Sequence, residues 1–190
     1  MFRSDQLGTQ NDLLLHHLVE FFKSDPVRMT KMLTIINGES RISLRIVDWF
    51  VTNFAKKYYV WYTQSDDEDE KRFKVHFDYK LKLKAYQKRR FDVFARWERT
   101  MLPYGEENYI ETTIGQLNFF KWAIENHILD YIQSHYDEIE QDMNERNTTS
   151  RSRRAEEDVG GKTRKKREEL SESAVKCIMK ESIKIVVKFT

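Results

Sequence analysis

The spacing of apolar residues changes period along the chain, and each change predicts a different element. Over 11–22 the spacing is helical, with Leu14, Leu18, Phe21 and Phe22 on one stripe and Leu15 and Val19 beside it. Asp25-Pro26 reads as an N-cap followed by proline at the first helical position. It opens a short helix that buries Val27, Met29, Met32, Leu33 and Ile36 and stops at Asn37-Gly38. Ser40 then caps a third helix carrying the stripe Ile42, Ile46, Trp49, Phe50 and Phe54. Tight turns between the three predict an N-terminal helical bundle.

Between 73 and 85 the period drops to two. Phe73, Val75, Phe77, Tyr79, Leu81, Leu83 and Ala85 alternate with Lys74, His76, Asp78, Lys80, Lys82 and Lys84, the pattern of a half-buried strand. The stretch 80–88 stays open to a helical reading. The expected arrangement is a hairpin of 58–63 with 72–80 around the acidic run 66–70, with 96–101 adding a third strand. Thr112 or Thr113 caps the longest helix, about 114–142, whose stripe holds Leu117, Phe120, Ile124, Ile128, Tyr131 and Ile132. Residues 144–172 hold too few apolar groups to offset the entropy of ordering them. Alternation returns at 183–189, which predicts a terminal strand that docks on the hairpin or on a neighbouring subunit.

The fold class expected is therefore α+β: a three-helix bundle, a small antiparallel hairpin or meander, one long helix, and a disordered basic tail ending in a short strand. The corresponding units are a globular domain over 1–143, a flexible charged tail over 144–172 and a docking segment over 173–190.

Composition supports a real but aromatic core. Hydrophobic residues are 39% of the 190 and charged ones 34%, yet aromatics reach 13%, and each buried aromatic ring removes a large area from water. The formal net charge of +2 hides a strong segregation. Residues 71–99 hold eleven Lys/Arg against three Asp/Glu, whereas 104–145 hold one against ten and 146–170 nine against five. Such blocks point to faces of opposite sign that meet different partners. A lone cysteine, Cys177, rules out an internal disulfide framework and fits a reducing compartment. With no signal stretch and no apolar run near the ~20 residues that span a bilayer, a soluble protein made in the cytosol is expected.

Catalytic chemistry finds no frame. His16 and His17 are adjacent and expected to diverge on a helix, and His76, His127 and His135 stand apart, so no metal site is expected. Gly161-Lys162-Thr163 resembles the end of a phosphate-binding loop, but Glu156 stands where its first glycine belongs. Paired carboxylates such as Asp137 and Glu140 read as a solvated helix face. No catalytic residue, no cofactor and no enzyme activity are expected.

Binding chemistry is richer. On a strand, the lysines of 74–84 would stand ~6.6 Å apart, a pitch at which successive ammonium groups meet phosphates. The residues singled out for contact with nucleic acid or another partner are Lys80, Lys82, Lys84, Lys88, Arg89 and Arg90, with Arg164, Lys165, Lys166 and Arg167 in the tail as auxiliaries. Tyr86 offers a stacking surface. Acidic groups within the tail dilute its field, so protein partners are favoured over DNA or RNA.

Three stretches carry a family resemblance. They are Ser43-Leu44-Arg45-Ile46 through Asp48-Trp49-Phe50-Val51-Thr52-Asn53, Tyr79-Lys80 through Leu83-Lys84-Ala85-Tyr86 to Phe91-Asp92, and Thr112-Thr113-Ile114-Gly115-Gln116-Leu117-Asn118-Phe119-Phe120 through Trp122-Ala123-Ile124. Lys166-Arg167 through Glu169-Leu170-Ser171 and the ending Ile185-Val186-Val187 look similar too. In these the chain resembles a family of small proteins of nucleocytoplasmic large DNA viruses, the giant and algal viruses, and departs from it at Val93 and Ala95. The resemblance implies a viral protein made in the host cytoplasm, at the viral factory, and packaged in the virion. The function expected is that of a minor, capsid-associated structural protein that binds other virion proteins. The alternative is a viral nucleic-acid-binding protein that uses 74–90 and the tail.

Overall fold

The computed structural model describes residues 9–64, 71–104 and 108–157. The fold is α+β, mostly helical, with two small antiparallel hairpins. Its first three helices follow the sequence closely. Helix α1 (Gln10–Lys23) opens on a capping box in which Thr9 and Asp12 bond each other's backbone N–H. Helix α2 (Pro26–Ile36) starts with the Asp25 carboxylate accepting from the Val27 N–H at 2.8 Å. It ends where Gly38 takes φ +72, a conformation that favours glycine. Met29, Met32, Ile35 and Ile36 are buried, while Val27, expected inside, is exposed.

Helix α3 (Leu44–Trp49) begins three residues later than expected, because Ser43 rather than Ser40 accepts from the Ile46 N–H. It runs on through a π-helical turn (Phe50–Phe54), where Ala55 N–H reaches back to Phe50 O, and closes with α4 (Ala55–Lys57). His76 Nδ1 lies 2.9 Å from Val51 O in that turn. A carbonyl only accepts, so this ring nitrogen carries the proton.

The expected first hairpin exists but is shorter: β1 (Trp61–Gln64) pairs with β2 (Lys71–Lys74), in register Trp61 to Lys74. The acidic run 66–70 lies outside the described residues. The strand expected to continue to 85 is instead helix α5 (Val75–Arg90). A period of two and a spacing of four coincide in every second member of the alternating set. On the helix, buried Val75 and half-buried Tyr79 and Leu83 therefore share the inner face, and Phe77 and Leu81 the outer one. Lys, Leu and Ala at 80–85 are strong helix formers, and Lys and Ala are poor strand formers as well, so the helix wins.

Residues 96–101 do not join the first sheet. A second hairpin forms from β3 (Arg99–Tyr104) and β4 (Asn108–Thr113). The long helix is also broken, into α6 (Ile114–Glu125), α7 (Ile128–Ser134) and α8 (Tyr136–Glu157). At the first break His127 takes φ +54, and the Asn126 side chain accepts from Gln64 Nε2 at 2.9 Å while its NH₂ bonds Trp122 O. Helix α8 continues past the expected start of the tail at 144. The remaining tail and the terminal strand at 183–189 lie outside the described residues.

The core is aromatic, as composition demands. Phe50, Phe91, Phe119 and Phe120 are wholly enclosed, and Tyr131 stacks between Phe50 and Tyr62 with ring centroids 5.2 and 5.5 Å apart. Helix α1 packs on α6 and α3 on α8, while α5 lies against α6 and the π turn.

Candidate functional site

The six basic residues singled out on 80–90 do not form a phosphate-spaced row, because they sit on a helix. Arg89 pairs with Glu98 at 3.5 Å, Arg90 donates to Gln10 at 3.4 Å, and Lys82 is half-buried. Gln87 at φ +60 kinks the helix before exposed Lys88, whose charge favours the ionised forms of Asp48 and Asp92 against the burial that raises them. Lys80 and Lys84 point outward and are joined by Lys74 at the helix start, and none of these three is ion-paired among the described residues. Between them stand Phe77, 63% exposed, and Leu81, 50% exposed. This outer face is basic and greasy together. Arg164, Lys165, Lys166 and Arg167 lie outside the described residues.

A second face was not foreseen. An open groove of about 510 Å³ runs between the β1 end of the first hairpin and the first turns of α8. Tyr58, Tyr59, Trp61 and Tyr131 line one wall, and Glu138 and Glu145 the other. Tyr59 is 85% exposed and sits at φ +50, an unusual conformation for a bulky residue. At the floor lies Asp142, whose carboxylate accepts from Trp49 Nε1 at 2.9 Å, from Tyr58 OH at 3.3 Å and from Lys57 Nζ. Burial pushes this carboxyl up, but the Lys57 and Trp49 hydrogen bonds outweigh it and hold the group below its usual range. Asp142 raises Lys57 in turn. The carboxylate is thus fixed as an anion. The signal available in the sequence was the run 58–62, Tyr-Tyr-Val-Trp-Tyr, since a strand that buries one face must leave half of such a run outside.

The two faces adjoin. Trp61 and Lys74 stand directly opposite on neighbouring strands, so their side chains share one side of the hairpin. Arg72 lies over the Trp61 ring at 5.0 Å.

The third stretch that carries the family resemblance, 112–124, sits elsewhere and holds the fold together, whereas Lys80, Lys84 and Trp49 from the other two belong to the faces just described. Thr113 accepts from the Gln116 N–H at 3.1 Å, and Thr112 donates to Gln116 Oε1 at 2.8 Å. The Gln116 and Asn118 amides donate to Val93 O and Arg90 O, each at 2.9 Å. A Cβ on Gly115 would meet Arg89 O at 2.9 Å, so only glycine lets the 89–93 segment lie this close. Asp92 lies in the clamped segment, its N–H donating to Gly115 O at 3.2 Å, and its charge acts on Asp48. Burial lifts Asp48 to about 6, aided by the Asp92 charge and opposed by Arg96 and Lys88. Asp92 is raised by burial as well.

The histidine pair on α1 corrects an expectation: His16 and His17 do not diverge. Both Nδ1 atoms reach Glu20, at 3.5 and 3.8 Å. The three ligand atoms lie within 4.8 Å of one another, on the solvent side of the helix. None of the described helices is long and apolar enough to cross a membrane.

Similarity to other proteins bears on the whole chain. It is 44% identical over 131 residues to an uncharacterized protein, L507, of Acanthamoeba polyphaga mimivirus, a match covering 66% of this chain and 51% of that one. The chain thus spans about half the length of this relative. No solved structure matches. The giant-virus kinship read from the three sequence stretches agrees with this relative, and the family model matches residues 4–187: the chain belongs to the family of unknown function DUF7197.

Proposed function

We propose that this chain is a non-catalytic viral assembly protein, a minor capsid-associated component of the virion that binds other virion proteins through its charged faces and its C-terminal tail. It is made in the host cytoplasm and works at the viral factory and in the particle. The observation that carries the reading is the outer face of α5, where Phe77 and Leu81 stand exposed among Lys74, Lys80 and Lys84. Lysines arrayed for phosphates need only water between them. Large apolar side chains held among them lower the free energy when another surface covers them, about 25 cal/mol per Å². The groove beside α8 adds a second, acidic and aromatic surface. The mimivirus relative supports the viral setting.

Two measurements test this. Mass spectrometry of purified particles should detect the protein at a fixed copy number, and its absence would overturn the virion assignment. Fluorescence anisotropy with duplex DNA and single-stranded RNA near 50 mM salt should show no binding. Tight binding that falls by a factor of ~10³ or more by 200 mM salt, as counterion release demands, would replace the proposal with a nucleic-acid-binding role.

A further inference from the structure

We infer that the partner of these two adjoining faces is a second copy of this chain, paired about a two-fold axis. This rests on the binding-module reading above and names the occupant. The basic face offers three ammonium groups around Phe77 and Leu81, and the groove offers Glu138 and Glu145 across from exposed Tyr58, Tyr59 and Trp61. The two faces are opposite in charge, and each exposes apolar area that the other can cover.

The dimensions agree as well. From Lys74 to Lys84 the outer face of α5 is ~15 Å long, and from Glu138 to Glu145 the wall of α8 is ~11 Å, at 1.5 Å per residue. Lys80 and Lys84 are one helical turn apart and Glu138 and Glu145 two turns, so one row of cations can lie between the two carboxylates.

Adjacency decides the symmetry. Because the faces meet at the Trp61–Lys74 pair, together they make one surface with an acidic half and a basic half. A two-fold rotation lays the acidic half of one copy on the basic half of its partner, and the reverse, in a single step. On the basic half Lys74, Lys80 and Lys84 have no ion pair among the described residues, while on the acidic half Glu145 accepts from Gln141 Nε2 at 2.9 Å along its own helix. At the groove floor Asp142 is balanced by its ion pair with Lys57, so the floor adds no net charge and the acidic character sits on the rim. The carboxylates on the rim supply the contact, and the aromatic wall receives Phe77 and Leu81 of the second copy.

Sedimentation velocity of the full chain at ~50 mM salt should show a dimer at micromolar concentration that dissociates near ~500 mM, where charges are screened beyond a few ångströms. The pair Lys80→Glu and Lys84→Glu should raise the dissociation constant at least tenfold. So should Glu138→Lys with Glu145→Lys, with circular dichroism melts confirming that both proteins stay folded. Mixing the two variants in equal amounts should restore the dimer, because each now carries the face its partner needs. All four changes in one chain should restore it too. A monomer at 100 μM in low salt overturns the inference, as do variants that pair like the parent or a mixture that stays monomeric. A monomer still found in purified particles would leave the assembly reading standing without this partner. A dimer absent from particles would do the opposite.

Discussion

The clamp around Gly115 and the outer face of α5 use the chain in opposite ways. At the clamp, Thr112, Thr113, Gln116 and Asn118 are buried and make hydrogen bonds at 2.8–3.1 Å that fix the 89–93 segment. On the face, Phe77 and Leu81 stand exposed, and the three lysines beside them have no ion pair among the described residues. The first region is specified down to single atoms, while the second is specified only by charge and greasiness. One of the three stretches that carry the resemblance lies in the first region, and another supplies Lys80 and Lys84 to the second.

The contrast can be broken by mutation, from inside to outside. Phe120→Ala should cost about 3–5 kcal/mol in urea unfolding, since the ring is wholly enclosed and leaves a cavity. Gln116→Ala should cost about 2–3 kcal/mol, because Val93 O and the Thr112 hydroxyl lose their buried partner. If that variant melts like the parent, the clamp is not what holds the 89–93 segment.

Asp48→Asn tests burial by charge. A carboxyl lifted from 3.8 to about 6 keeps its proton in the folded state after the unfolded chain has lost it. Folding is therefore disfavoured increasingly as pH rises from about 4 to 6, and the penalty is constant above that. The substitution should stabilise the protein by about 2 kcal/mol at pH 8 and by nearly nothing at pH 4, read from melts across that range. A pH-independent effect would mean that Asp48 titrates normally. Phe77→Ser, at the far end of the scale, should shift stability by no more than about 0.5 kcal/mol while weakening any contact made by the face.

Local signals in the sequence carried far in some elements and failed in others. Asp25-Pro26, Asn37-Gly38 and Thr113 mark real helix ends because caps act over three or four residues. The first hairpin was legible, and so was the aromatic core. The segment 75–85 was not, since a set of apolar residues two apart contains a set four apart, and both periods fit it. The break at Asn126-His127 has no proline or glycine to announce it; Gln64 and Tyr62, some sixty residues away, hold it. The groove joins 58–61 to 138–145 and has no trace in either stretch alone, although the dense aromatic run at 58–62 could have been read as more than a strand can hide. Of the basic residues expected to make contacts, Lys80 and Lys84 share the outer face of α5 with Lys74.

The π-helical turn at Phe50–Phe54 has a consequence for how this surface is aimed. A π turn contains one residue more than the α-helix it interrupts, so everything after it is rotated by about 100° relative to an uninterrupted helix. Lys57 and Tyr58 follow the turn, and only with that extra rotation do they reach the carboxylate of Asp142 and set Tyr59 and Trp61 beside it. Deleting a single residue from 50–54 would make a more regular helix while swinging the aromatic wall a quarter-turn off its acidic counterpart. The groove is, in this sense, a matter of phase: one inserted residue sets the angle at which two distant parts of the chain come face to face.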